Sequence, residues 1–385
     1  MDLELQWLLL GLPLAFALGW LASHIDQRQL KREQRETPQA YFKGLVLLLN
    51  EQQDKAIDAF IEAVQQDPDS TDLHFALGNL FRRRGEYERA VRVHEHLLKR
   101  ADLPLAVRER AQDALAQDFM KAGLFDRAEQ AYRALAGSRF DTDARLALLS
   151  LYERSRDWRA AIEVARELER SGTASFASRI SHYWCEIAEE ADAKHEASAA
   201  AEALHQARLA APTAARPLVL AGKRLARLGE HLQAMQVFAE LLLAQPASFS
   251  LVALDHAASA IACGQQAIAR DQLEARYRRS PSTDLLAAIA SLDADPSRQR
   301  LRLHAHLREQ PTLSAAQQLL ALSAVAGVTL DATDARLLSE AVGRAARPLQ
   351  RYRCAACGFE AQHYFWQCPG CMAWDSYPPQ RLEDL

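Results

Sequence analysis

Cys354-Ala355-Ala356-Cys357 and Cys368-Pro369-Gly370-Cys371 form two C-x2-C pairs with ten residues between them. Each pair makes a knuckle, in which two thiolates point one way and backbone N–H groups turn toward the sulfurs. Two knuckles face to face give a four-sulfur tetrahedron, the cage preferred by zinc or by a single iron. So short a module builds little core, so the metal must supply most of its folding energy. Cys354, Cys357, Cys368 and Cys371 are therefore expected to hold one zinc, with iron as the alternative. The closed ligand set favours zinc. The other two cysteines, Cys185 and Cys263, lie within helical patterns and read as small buried hydrophobes.

Other reactive-looking residues carry less. His94 and His96 flank Glu95, which is not the His-Glu-x-x-His spacing of a zinc protease. His304 and His306 fall on opposite sides of any helix. Neither a phosphate-binding G-x-x-x-x-G-K-[ST] run nor a G-x-S-x-G nucleophile elbow occurs, so no enzyme is expected. Arg82-Arg83-Arg84 and Arg276 to Arg279 read as solvated helix ends, where cations suit the helix dipole.

The elements that position the cysteines are helical. The 385 residues are 49% hydrophobic but only 7% aromatic, with 15 Gly and 14 Pro, against a strand-rich fold. A net charge of −4 gives no basic field for nucleic acid. A spacing in the mid-thirties recurs from Thr37 onward. Gly44, Ala56, Phe60, Ala63 and Pro68 mark the first unit, and Gly78 and Ala90 repeat two of those marks. Ala116, Ala128 and Tyr132 follow, then Tyr152, Trp158 and Ala161, then Trp184, Ala200, Leu204 and Pro212. Gly222, Ala234, Phe238 and Pro246 form the clearest unit, and Gly264, Ala269, Leu273 and Pro281 the seventh. The small residue of helix A and the Ala opening helix B let the two helices cross closely. The large residue four positions after that Ala fills the space beside the next unit. Pro closes helix B because its ring clashes with a continuing turn. The pattern resembles the tetratricopeptide repeat, which implies a helical solenoid that binds proteins or peptides. His94 departs from it by standing where a bulky apolar residue is usual.

The N-terminal stretch has a different character. Residues from Leu3 to Ala22 are nearly all apolar, enough to span about 30 Å of bilayer as a helix. Trp7 and Trp20 lie near its ends, Asp2 and Glu4 precede it, and Arg28, Lys31, Arg32 and Arg35 follow. That asymmetry predicts a retained single-pass anchor with the body on the cytoplasmic side. Gly11, Ala15, Gly19 and Ser23 share one helix face, where another membrane helix could approach closely. The expected order is an anchor at 1–25, a charged linker at 26–36, an all-α repeat solenoid at 37–347 and a four-cysteine module at 348–385.

The module resembles rubredoxins and zinc ribbons, although Met372 stands where Gly usually follows the second knuckle. Anchor, repeats and four-cysteine tail in this order resemble the lipopolysaccharide assembly protein B family. Tyr352-Arg353-Cys354 through Cys357-Gly358-Phe359 and Trp366-Gln367-Cys368-Pro369 carry the closest likeness. The resemblance implies an inner-membrane adaptor of lipopolysaccharide synthesis that presents the LpxC deacetylase to the membrane protease FtsH, beside other lipopolysaccharide assembly proteins. It leaves a homodimer open. The competing reading is a rubredoxin-like electron carrier on a tethered scaffold.

Overall fold

The computed structural model describes residues 42–47, 49–50, 52–293, 295–310, 312–325 and 342–385. The expected anchor, with Gly11, Ala15, Gly19 and Ser23, and the linker at 26–36 lie outside them. Among the described residues no helix is long and apolar enough to cross a membrane. The chain divides into two compact units, the first ending at Asp157 and the second running from Trp158 to Leu385.

In the first unit residues 42–47 are helical. They are followed by α1 (Gln53–Gln66), α2 (Thr71–Arg84), α3 (Tyr87–Lys99), α4 (Leu105–Ala122), α5 (Phe125–Arg133) and α6 (Asp141–Ser155). The second unit holds α7 (Trp158–Arg170), α8 (Ala177–Ala193), α9 (Ala197–Ala210), α10 (Ala215–Arg227) and α11 (His231–Ala244). A 3-10 turn, Pro246–Val252, then leads into α12 (Ala253–Ala262). After it come α13 (Gln266–Arg279), α14 (Thr283–Leu292), α15 (Pro296–Glu309) and α16 (Leu313–Val325). A two-stranded antiparallel sheet, β1 (Tyr352–Arg353) and β2 (Glu360–Ala361), opens the C-terminal module.

The repeat marks explain the packing. Ala56, Ala90, Ala128, Ala161, Ala200, Ala234 and Ala269, one at the start of each of the first seven B helices, are all 0% exposed. No larger side chain fits there, because the two helices of a hairpin touch at that point. Sixteen residues before each filling residue of the A–B crossing stands a small one: Gly44 for Phe60, Gly78 for His94, Gly222 for Phe238. A Cβ on any of these glycines would overlap the facing ring. His94 therefore keeps the register its polarity put in question: it packs on Gly78 as the phenylalanines pack on their glycines. The hairpin turns are tight where the sequence has Gly. At Gly85, φ is 82°, and the Glu86 N–H reaches Phe81 O at 2.8 Å, a left-handed cap that a Cβ would strain. The molecule is thus mostly helical, with tetratricopeptide-like hairpins and a C-terminal metal-ribbon fold.

Arginines tie successive hairpins at about one repeat length. Arg127 reaches Glu95 at 2.8 Å, Arg110 reaches Asp72 at 3.2 Å and Arg224 reaches Asp192 at 2.8 Å, across 32, 38 and 32 residues. One tie is buried. Arg82 donates to Asp118 Oδ1 at 2.8 Å and to the Ala114 carbonyl at 3.0 Å, while His94 Nδ1 meets Asp118 Oδ2 at 2.5 Å. Arg82 is thus largely withdrawn from solvent, which corrects its reading as a solvated helix end.

Candidate metal centre

The two knuckles adopt the same local fold, related by a shift of fourteen residues. In the first, the Cys354 N–H donates to Phe359 O at 2.9 Å and the Gly358 N–H to Cys354 O at 2.9 Å. In the second, the Cys368 N–H donates to Ala373 O at 2.9 Å and the Met372 N–H to Cys368 O at 2.8 Å. Gly358 and Met372 occupy equivalent places, and both are left-handed, at φ 77° and 60°. Met372 accepts the conformation that glycine adopts freely, so its departure from the family pattern costs strain and leaves the knuckle intact.

These turns bring the four sulfurs together. Cys354 Sγ lies 3.8 Å from Cys371 Sγ, and Cys357 Sγ lies 3.6 Å from Cys368 Sγ. All four lie within 4.8 Å of one another. A tetrahedral cage with metal–sulfur bonds of about 2.3 Å has sulfur–sulfur edges of about 3.8 Å, so the set fits a metal ion. A disulfide would need about 2.05 Å, and none of the four is so paired. The surroundings favour thiolate at two of the ligands. The hydrogen bond with Ser376, 3.3 Å away, is the chief cause that pulls the Cys354 thiol down to about 6. At Cys368 burial works the other way, but the N–H groups of Cys371 and Gly370 outweigh it and lower the thiol. Cys354 and Cys368 are buried, while Cys357 and Cys371 face outward.

The module has a small core made in part of its own ligands: Tyr352, Cys354, Cys368 and Tyr377, with Tyr364 and Leu251 packed against it. Leu251 belongs to the 3-10 turn of the repeats, so the core is shared. Trp366 in turn packs on the second unit's main core, around Phe238, Phe249 and Leu285. The Tyr377 hydroxyl donates to Phe359 O at 3.2 Å, and the Tyr364 hydroxyl to Tyr377 O at 3.1 Å.

Beyond the last knuckle, the chain crosses the second unit's A helices. Asp375 Oδ2 lies 2.8 Å from His182 Nε2 and accepts from the Ser178 hydroxyl at 3.3 Å, both on α8. Trp374 stacks on His182, with centroids 4.5 Å apart. Ser250 donates to Pro379 O at 2.8 Å. Arg381 reaches Asp284 on α14 at 3.1 Å. Asp384 accepts from the Thr283 N–H at 3.1 Å, and Glu383 from the Ser314 N–H at 2.5 Å, so two acidic side chains sit on the first turns of α14 and α16. Helix N-termini favour carboxylates, because their N–H groups have no helical partner. None of these partners was singled out from the sequence. The available signal was a Ser or Thr at the start of α8, α14 and α16.

The remaining candidates are structural. His306 is buried between Tyr277 and Thr312, at 2.5 and 3.0 Å, while His304 is exposed, as the helical spacing requires. Cys185 is fully buried, and burial pushes its thiol up to about 12. Cys263 is partly exposed at the end of α12, which corrects its reading as a buried hydrophobe.

Residues 352–378 match the family described as "Rubredoxin metal binding domain" (Zn_ribbon_LapB). "Lipopolysaccharide assembly protein B" of Escherichia coli (strain K12) is 30% identical over 98% of this chain and 98% of its own length. The Haemophilus influenzae protein of the same name is 27% identical over 97% and 98%. Among solved structures, the complex titled "TPR2AB-domain:pHSP90-complex of yeast Sti1" covers 66% of this chain and 98% of its own, at 16% identity and a TM-score of 0.33.

Proposed function

The chain belongs to the lipopolysaccharide assembly protein B family, and from that premise we propose that it acts in lipopolysaccharide assembly as a membrane-anchored adaptor that performs no reaction of its own. Its repeats bind the LpxC deacetylase and present it to the membrane protease FtsH. The observation that carries the reading is similarity along nearly the whole length of the relatives, repeats and ribbon together. An apolar, acid-led and base-followed N-terminal stretch supports an inner-membrane anchor with the body in the cytoplasm. Tethering a binding surface beside a membrane protease raises the local concentration of its client with no chemistry at the adaptor. The metal is zinc, held by Cys354, Cys357, Cys368 and Cys371. Its role is structural, since four thiolates leave no open position for substrate.

The test is LpxC half-life after translation is stopped. Cells lacking the protein should keep LpxC longer, and deletion of residues 1–25 should reproduce much of that effect. An unchanged half-life in the knockout rules the adaptor out. An electron-carrier reading rests on the rubredoxin-like cage alone and requires iron: purified protein would be red, whereas the zinc form is colourless.

A further inference from the structure

The second unit treats residues 374–384 as a ligand. Four of their partners lie at the first or second residue of an A helix: Ser178 of α8, Thr283 and Asp284 of α14, and Ser314 of α16, Asp284 pairing with the strap's own Arg381. Three of the side chains presented to this row are carboxylates, Asp375, Glu383 and Asp384. Two of them accept backbone N–H groups that an N-terminal helical turn leaves open. The row also holds a cation to which the strap offers an aromatic ring but no hydrogen bond. Arg216, second residue of α10, is 4% exposed and gives Nη2 to Glu186 at 2.7 Å and Glu189 at 2.5 Å. Its Nε and Nη1 are buried without a hydrogen-bond partner, and its Cζ stands 5.9 Å from the centroid of the Trp374 ring. The buried His182 likewise leaves Nδ1 unpaired.

We propose that this row is a binding site for an extended acidic peptide of a partner protein, and that residues 374–384 occupy it in cis as an intramolecular inhibitor. The inference is independent of which client the repeats carry. A partner peptide with one more carboxylate than the strap gains hydrogen bonds to the Arg216 Nε and Nη1 that the strap does not make, which allows it to compete. Covalent attachment gives the strap a high effective concentration, so displacement is inefficient until the strap is loosened.

The probe is a fluorescent synthetic peptide of residues 374–385, titrated into the full chain and into its Glu383→Gln/Asp384→Asn variant. Zinc content of one per chain in both forms confirms that the ribbon is folded. The variant should bind the peptide at least about tenfold more tightly than the intact chain. A peptide with its three acidic residues neutralised should bind neither form. In the variant, the Thr283 and Ser314 amides should exchange hydrogen faster. Equal affinity of both forms, or equal binding of the neutral peptide, overturns the proposal. Should the variant lose its zinc, saturating acidic peptide is added to the intact chain. Faster exchange at the Leu382 and Glu383 amides, which bond to Arg351 O and Leu349 O, then marks displacement, and unchanged exchange overturns the proposal. Either result leaves LpxC half-life free to vary, so the adaptor reading stands or falls separately.

Discussion

The two units hold their hairpins by different means. In the first, the ties at Arg82, Arg110 and Arg127 join neighbours 36, 38 and 32 residues apart. In the second, comparable ties at Arg208 and Arg224 also span 32 residues, but the ribbon and strap add bonds across 97, 101, 129 and 197 residues. A repeat array held by neighbours alone loses stability hairpin by hairpin. One laced by a distant segment opens as a whole once the lace is freed. The first unit is therefore additive, and the second is conditional on a metal site.

The largest effect should come from cutting the lace. Replacing Cys354 with Ser removes one ligand of a site whose binding energy is on the order of 10 kcal/mol in small zinc folds. Hydrogen exchange should rise across the ribbon, at Thr283 and at Ser314, while α2 to α5 keep their protection. Uniform protection loss in both units would erase the contrast.

Next comes the buried knot of the first unit. Asp118 is fully buried between Arg82 and His94, so Asp118→Ala strands both partners. Removing one member of a buried ionic cluster costs about 3–5 kcal/mol. Chemical unfolding should show that loss in the first unit alone, with metal content unchanged.

A pH titration sharpens the comparison further. Burial is the first cause that lowers His256 and His306, both in the second unit. A histidine whose folded pKa lies below its unfolded value of about 6.5 takes up its proton first in the unfolded chain. Its stabilising contribution is complete above that value and is lost as the pH falls toward the folded one. Unfolding of the second unit between pH 7.5 and 5.5 should show this loss, at no more than about 1.4 kcal/mol per pH unit for each group. His306→Gln should reduce the slope.

The smallest effect belongs to the exposed ladder. Arg127 and Glu95 are about half and one-third exposed, so Glu95→Gln should cost well under about 1 kcal/mol and less still in high salt. A large loss there would mean that surface ties, rather than Ala-lined crossings, hold the first unit together.

Legibility followed the range of the interaction. Ala56, Ala90 and Ala234 were readable because a helix crossing writes the same small residue at each repeat. The four cysteines were readable because each knuckle is closed within five residues. His94 looked anomalous, since its partner Asp118 lies one repeat further on and no local pattern pairs them. Glu383 and Asp384 resembled any acidic tail. Their meaning depends on Ser314 and Thr283, 69 and 101 residues away, and only folding brings them together.

The distance between strap and row also has a consequence in time. His182 is synthesised 193 residues before Asp375. At about 5–20 residues per second, the α8 end of the row emerges from the ribosome roughly 10–40 s ahead of the residue that covers it, and the Ser314 end, 69 residues ahead of Glu383, roughly 3–14 s ahead. Every newborn copy therefore passes through a stage in which α8 is complete and its acid-binding end is bare. Chaperones or a waiting partner meet the surface in that interval, before the chain can close it on itself.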